Sequence, residues 1–296
     1  MKLKIIDEAF FQSLELLDIY LKDNIAGSFG GNHRSKKYGS SSEFADYREY
    51  IPGDDIRRID WNVFSRYEKL YLKLFLDERQ MHHRIYIDGS KSMENKKEYA
   101  LKMAVAFAYL SIKAMDKVSI YLITGHKTVK LLNRVIGKEA FYNAIAAIDD
   151  VEFGGESFIS DAVLYSSIGY GNGMSVIISD FLTNNDFKSS IGYLRSKHRD
   201  VTCIQLLTEE EINPAFSGKS ILYDSENSGR YFKKNIRKDN LKAYGEALEY
   251  IKNDINYFCT SRGANYMFVS TSQDIDKVIL HEAVKKEIVK WVFYFN

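Results

Sequence analysis

Within five residues, Asp88-Gly89-Ser90-Lys91-Ser92 offers one carboxylate and two hydroxyls. All are hard oxygen donors, a set that suits Mg²⁺ or Mn²⁺ better than zinc. Two further stretches carry donors of the same kind. Gly154-Gly155-Glu156-Ser157 ends in a hydroxyl just before a helical pattern, and Asp180 closes the apolar run Val176-Ile177-Ile178-Ser179. Singly, each reads as a helix cap, because Ser and Asp side chains accept from the free amides of a helix's first turn. Together, Asp88 and Asp180 with the hydroxyls of Ser90, Ser92 and Ser157 make up an octahedral oxygen site once waters fill the remaining positions.

Such a site needs a scaffold that gathers distant loops, and the pattern from residue 85 onward provides one. A strand at 85–88 leads into a helix at 99–115 that is apolar on every side, the mark of a buried helix. Strands at 117–124 and 127–132 form a hairpin through Gly125-His126, followed by helices at 139–148 and 158–168. A strand at 174–179, a helix at 187–196 and a strand at 201–207 come next. An amphipathic helix over 241–258, a strand at 265–269 and a closing helix at 275–289 complete the alternation. This order predicts an α/β fold, a doubly wound, mostly parallel sheet with helices on both faces. In such sheets the carboxyl ends of neighbouring strands converge on one crevice, which is where all three donor loops fall. Residues 214–233 break the rhythm as a small β hairpin insertion with its turn at 225–229, and 291–295 reads as a last strand. Upstream, 7–21 reads as a helix with one buried face, 27–42 as a basic Gly-rich loop, and 70–77 as a strand with one covered face.

Composition narrows the function classes. The 296 residues carry a formal net charge of +1, so wholesale attraction to nucleic acid or to an anionic membrane is not expected. Cys203 and Cys259 lack metal-type spacing and read as buried apolar residues in a reducing, cytoplasmic setting. The N-terminus reads as free of a signal peptide, and no apolar run approaches the ~18–20 residues that span a bilayer. The basic arm His33-Arg34-Ser35-Lys36-Lys37 matches no phosphate-binding pattern, and we read it as a solvated loop. The histidines lie in separate elements and are assigned no catalysis.

The order Asp-x-Ser-x-Ser, a hydroxyl after glycines, then an Asp ending an apolar strand resembles the metal-ion-dependent adhesion site of von Willebrand factor type A domains. The resemblance implies that Ser90, Ser92 and Ser157 bind the metal directly and that Asp88 and Asp180 contact it mostly through water. The family usually has Thr where this chain has Ser157; the hydroxyl is retained. In such domains one metal position stays open for an acidic residue of a partner protein, which implies a binding device and not an enzyme.

A second resemblance lies upstream. Ser42-Glu43-Phe44, Arg48-Glu49-Tyr50, Pro52-Gly53-Asp54-Asp55-Ile56-Arg57, Ile59-Asp60-Trp61 and Arg66 resemble the signature of the bacterial "domain of unknown function 58" family, in which this segment precedes a von Willebrand type A-like domain. The likeness extends through Leu222-Tyr223-Asp224-Ser225-Glu226 and the helix of Tyr244, from about Gly30 to the end. It implies a MoxR-type AAA+ ATPase, or that ATPase's client, as the partner. Many family members are membrane-anchored, and this chain shows no such segment. The expected division is therefore 1–81, an N-terminal helix, basic loop and charged segment packed on the main domain, and 82–296, the type A-like domain. Arg48, Asp54, Asp55, Arg57, Asp60 and Trp61 have two readings: a salt-bridged and hydrogen-bonded clasp with Trp61 and Tyr50 packed onto the α/β domain, or a docking surface for the ATPase.

The rival reading is a Mg²⁺-dependent phosphohydrolase with Asp88 as nucleophile, since an apolar strand ending in Asp-Gly-Ser resembles haloacid dehalogenase phosphatases. Those enzymes want a second acid two residues on, where this chain has Ser90.

Overall fold

The computed structural model describes residues 8–20, 35–38, 44–77, 80–146, 148–166, 168–183, 185–215, 218–223 and 231–292. In chain order it contains α1 (Glu8–Leu14), β1 (Leu17–Ile19), β2 (Ser35–Tyr38), β3 (Phe44–Glu49), α2 (Trp61–Tyr67), β4 (Tyr71–Asp77), β5 (His82–Asp88), α3 (Lys97–Lys113), β6 (Lys117–Thr124), β7 (Lys127–Val135), α4 (Lys138–Ile145), α5 (Ile159–Tyr165) and β8 (Met174–Ser179). Then follow α6 (Lys188–Ser196), β9 (Asp200–Leu207), α7 (Glu209–Ile212), β10 (Gly218–Tyr223), β11 (Tyr231–Ile236), α8 (Lys238–Ser261), β12 (Asn265–Ser270), α9 (Ile275–Lys277) and β13 (Val289–Trp291). Two compact units result: Met1–Leu21 with Met81–Asn296, and Lys22–Gln80.

The larger unit is built on a six-stranded sheet in the order β12-β9-β8-β5-β6-β7. All its strands run parallel except β7, which returns against β6 as the expected hairpin. The fold is thus the doubly wound, mostly parallel α/β class that the sequence predicts. Alternation along β5 sorts its side chains between the faces. Ile85 and Ile87 enter a core shared with α1, α3 and α4, whereas Tyr86 enters a second core built with α5, α6 and α8. Tyr86 stacks on Tyr121 directly across the β5–β6 register, at 5.2 Å between ring centroids.

α3 is apolar on every side, so covering it with the sheet alone would leave its outer face in water. Twelve of its seventeen residues are buried. The missing roof is α1, whose Phe10, Phe11 and Leu14 join the same core; the Phe11 ring lies 4.8 Å from Tyr109 and 6.2 Å from Phe141. Lys113, at the end of α3, donates to the Leu17 carbonyl at 2.9 Å and pairs with Asp18 at 3.3 Å. The N-terminal helix, grouped in the sequence reading with the charged segment, therefore belongs to the α/β unit.

Three elements depart from expectation. The helix predicted over 7–21 stops at Leu14, because Leu17 and Ile19 point inward at strand spacing and pair antiparallel with β13. The helix predicted over 158–168 spans only Ile159–Tyr165. The closing helix becomes a wider π segment over Val278–Ala283, and the chain is extended again from Val289. The hairpin insertion is present as β10 and β11, which among the described residues pair only with each other; its predicted turn and residues 293–295 lie outside the described residues. So does most of the basic arm, of which Ser35–Tyr38 is a strand and not a loop.

In the smaller unit, β4 is the centre of a three-stranded sheet in the order β2-β4-β3. Leu72 is buried in it, and the Ile59 bridge to Leu72 ties down the turn before α2.

At the amino end of the large sheet, His82 bonds Ser119 at 2.9 Å and its carbonyl accepts from the buried Arg199, which also donates to the Met174 carbonyl at 2.7 Å. Burial, then the nearby charges of Arg84, Arg199 and Arg134, push the His82 imidazole down to about 3. A base whose folded pKa lies below its unfolded value near 6.5 takes up its proton only on unfolding, so stability is lost as pH falls from about 6.5 toward 3. Thermal unfolding across that range should show a progressive fall in Tm that is shallower in His82→Gln; an unchanged slope would refute this account.

Candidate metal centre

The donor loops are held together first by backbone. Lys91 N donates to Gly155 O at 2.9 Å and Gly154 N to Gly89 O at 2.8 Å, joining the loop after β5 to the loop before α5. Gly125 N to Glu156 O (3.0 Å) and Phe158 N to Gly125 O (2.9 Å) join that second loop to the β6–β7 turn. Gly89 N donates to Ile123 O at 3.0 Å, an approach so close that a Cβ on Gly89 would sit 2.6 Å from that oxygen and 2.9 Å from Leu122 Cγ. Glycine here is a condition of the loop lying on β6.

Asp88 ends β5 with its carboxylate buried and no cation bonded to it among the described residues. Its Oδ1 accepts from Ser90 N at 2.9 Å and from the Ser157 hydroxyl; its Oδ2 accepts from the Ser179 hydroxyl at 2.5 Å. Burial raises the Asp88 pKa, the three donors pull it back, and Asp180 nearby raises it again; the net displacement is upward. Ser179 is a site residue that sequence reasoning passed over. Its only signal is a hydroxyl inside an otherwise apolar run, one position before Asp180.

The hydroxyls are not helix caps. Ser90 precedes the 3-10 turn Lys91–Lys96 and makes no side-chain capping bond, and the residue at the cap of α5 is Phe158. Ser90 Oγ and Ser92 Oγ face each other at 3.1 Å, and Ser157 Oγ turns to Asp88. Asp180 is positioned by an αL residue, Phe181 (φ +52°), which lets Leu182 N return to Asp180 Oδ1 at 3.0 Å. Gln205 Nε2 donates to the Asp180 carbonyl at 2.7 Å, while its Oε1 accepts from Tyr266 OH at 2.5 Å. The second carboxylate oxygen, Oδ2, accepts from the fully buried Lys96 at 3.0 Å, and Lys96 also reaches Glu211 Oε1 at 2.6 Å. Neither Lys96 nor Glu211 carries a sequence signal at all.

The structure thus gathers Asp88, Ser90, Ser92, Ser157 and Asp180 at the carboxyl end of the sheet. Among the described residues no group of three or more His, Cys, Asp and Glu side chains is arranged to hold a metal, so the donor set here is mostly hydroxyl. That set fits a hard divalent cation. The Ser90 and Ser92 oxygens bond only each other among the described residues, and the adjacent Asp88 carboxylate is buried without a counter-ion.

The model for the family described as "Protein of unknown function DUF58" matches residues 46–248. The chain belongs to the DUF58 family. A relative, the uncharacterized protein Rv1480 of Mycobacterium tuberculosis, is 24% identical over 230 residues, covering 74% of this chain and 72% of that protein. Among solved structures, the conserved hypothetical protein BatB from Bacteroides thetaiotaomicron is 12% identical with a TM-score of 0.38, covering 70% of this chain and 98% of that one. The SpRpn10 VWA domain is 9% identical with a TM-score of 0.40, covering 69% and 95%. The fold assignment rests on the strand order above and not on these distant likenesses.

The charged segment of this DUF58 protein forms its own bonded network in the smaller unit. Arg48 pairs with Asp54 at 2.7 Å, and Asp54 also accepts from Ile51 N at 3.0 Å. Asp55 caps the turn before α2 through Arg57 N at 3.1 Å, and Arg57 Nε lies 3.3 Å from the same oxygen. Asp60 is the hub: it caps α2 through Asn62 N (2.9 Å) and Val63 N (3.4 Å), accepts from Tyr47 OH (2.8 Å) and pairs with Lys73 (3.0 Å). Burial opposes ionisation of Asp60, but the bonds from Tyr47, Lys73 and the helix amides outweigh it and hold its carboxyl below the usual range. Trp61 is 61% exposed, with its ring 6.0 Å from Phe64.

The Gly89 contact yields a test. Gly89→Ala should destabilise the protein by about 1–3 kcal/mol, the cost of overpacking against backbone, measured by denaturant unfolding. A variant as stable as wild type would show that the loop does not depend on that approach.

Proposed function

We propose that this DUF58 protein is a non-enzymatic, Mg²⁺- or Mn²⁺-dependent protein-interaction module that works in the cytoplasm beside a MoxR-type AAA+ ATPase. The observation that carries the reading is the convergence of Ser90, Ser92, Ser157, Asp88 and Asp180 at one end of the sheet. In this reading the three hydroxyls hold the cation directly, Asp88 and Asp180 anchor its waters, and the cation supplies an open position for a carboxylate of the partner. The ATPase, or its client, comes from the family resemblance. A cytoplasmic setting accords with Cys203 and Cys259, both buried and unbridged, and no described helix is long and apolar enough to cross a membrane.

The phosphohydrolase alternative is less well supported. That chemistry wants a second acid two residues after the nucleophile, and Ser90 stands there. The other acid nearby, Asp180, is paired with Lys96.

Docking of the ATPase fits the smaller unit. α2 has no buried residue, and Trp61, Phe64 and Tyr67 recur along it at a spacing of three with Trp61 and Tyr67 more than half exposed. Exposed aromatics grouped beside charge mark protein contacts. The Arg57 side chain is 89% exposed. Arg57→Ala and Trp61→Ala should therefore fold with wild-type Tm and lose ATPase binding in a pull-down, whereas Asp60→Ala should unfold the segment through loss of its cap. Wild-type binding by both exposed-residue variants would remove this surface from consideration.

The metal reading is tested by capture. Mg²⁺ at a hundredfold excess over Kd should stabilise the wild type by about 2.7 kcal/mol. Asp88→Ala should fold yet show neither this stabilisation nor metal-dependent partner capture. Equal capture in chelator and in Mg²⁺, with no stabilisation, would overturn the proposal.

A further inference from the structure

The Lys96 ammonium is bonded to one carboxylate oxygen of Asp180. Its side chain is fully buried, and it leaves the 3-10 turn that begins one residue before Ser92. Two of its three N–H donors are taken by carboxylates, Asp180 Oδ2 at 3.0 Å and Glu211 Oε1 at 2.6 Å. Glu211 is held independently of the lysine. Its Oε2 accepts from Thr208 N at 2.8 Å in a reciprocal cap of α7, and its carbonyl accepts from Tyr244 OH at 2.6 Å. Glu211 is also the more solvated of the two acids, with its side chain 32% exposed against 4% for Asp180. An ammonium shared by two carboxylates keeps a full charge-assisted bond if one of them is taken away, so Glu211 is a ready second seat.

We propose that Lys96 is a tethered cation that competes with the divalent ion for Asp180, and that Glu211 retains the ammonium when Asp180 is engaged. This rests on the metal reading above and adds its regulation. The site would bind metal weakly by itself, because engaging Asp180 costs one of the two Lys96 bonds and brings a second positive charge beside a buried ammonium. A partner carboxylate arriving with the metal offsets both, so metal and partner are taken up together.

Competition predicts a gain of affinity when the rival cation is removed. The direct probe is Mn²⁺ alone, titrated against the full chain with free Mn²⁺ read by EPR. Lys96→Met with Glu211→Gln removes one charge of each sign, so net charge is unchanged while Asp180 is freed. This double variant should bind Mn²⁺ about tenfold more tightly than wild type, the scale of one charge-assisted bond no longer disturbed. Lys97→Met, which removes a neighbouring charge without touching Asp180, should stay within about twofold. Glu211→Gln alone alters only a partly exposed side chain and tests the second seat even if the double variant does not fold; it should bind Mn²⁺ several-fold more weakly than wild type. Equal or weaker binding by the folded double variant, or equal or tighter binding by Glu211→Gln, overturns the competition while leaving the metal site intact. No Mn²⁺ binding by any of these proteins overturns the metal reading itself.

Discussion

A carboxylate taken out of water must be solvated by the protein or neutralised, and Asp88 is where this chain meets that constraint. Its two oxygens are bonded by Ser90 N, Ser157 and Ser179, three donors that belong to three different segments. Two of the bonds reach segments far away in sequence: Ser157 is 69 residues on and Ser179, at the end of β8, is 91. These bonds add to the backbone bonds through Gly89, Gly125, Gly154 and Gly155 that hold the loops to one another. None of the donors is a formal charge. Asp88 is solvated but not neutralised, and the nearby Asp180 adds to its burden.

The other acid is treated differently. Asp180 has a formal counter-ion, Lys96, delivered by the same loop that carries Ser90 and Ser92. The end of the sheet therefore holds one acid satisfied by hydroxyls and one by an ammonium, side by side. Among the described residues this end of the sheet carries one carboxylate with no charged partner, the hydroxyls of Ser90, Ser92 and Ser157, and the buried Lys96, and the proposed conditional binding of a cation rests on that combination. Behind it, the chain Tyr266–Gln205–Asp180 carbonyl runs across β12 and β9 to the end of β8, so the position of Asp180 is set by the packed interior and not by the loop alone.

Much of this was legible in the residues. The strand 174–179 and the buried α3 follow from strongly apolar runs, and the donor loops stand out as glycine and hydroxyl or carboxylate residues at the ends of strands or just before a helix. What was not legible follows from the physics of tertiary contact. The helix at the N-terminus ends early because Leu17 and Ile19 satisfy strand pairing with Val289–Trp291, a partner invisible from local spacing. Ser179 reads as filler in an apolar strand until the fold brings it to Asp88. Lys96 and Glu211 are 115 residues apart, and a lysine in a charged turn or a glutamate in a run of three gives no hint of a buried pair. The residue pattern left Trp61 with two readings, a clasp packed onto the α/β domain or part of a docking surface, and local spacing could not choose between them; in the structure it is 61% exposed.

The most direct test is crystallographic. A crystal of the full chain grown with Mn²⁺ and measured at the manganese edge should show one anomalous peak at roughly 2.2 Å from the hydroxyls of Ser90, Ser92 and Ser157. A manganese peak elsewhere, or none at the ends of β5 and β8 under saturating Mn²⁺, would contradict the account.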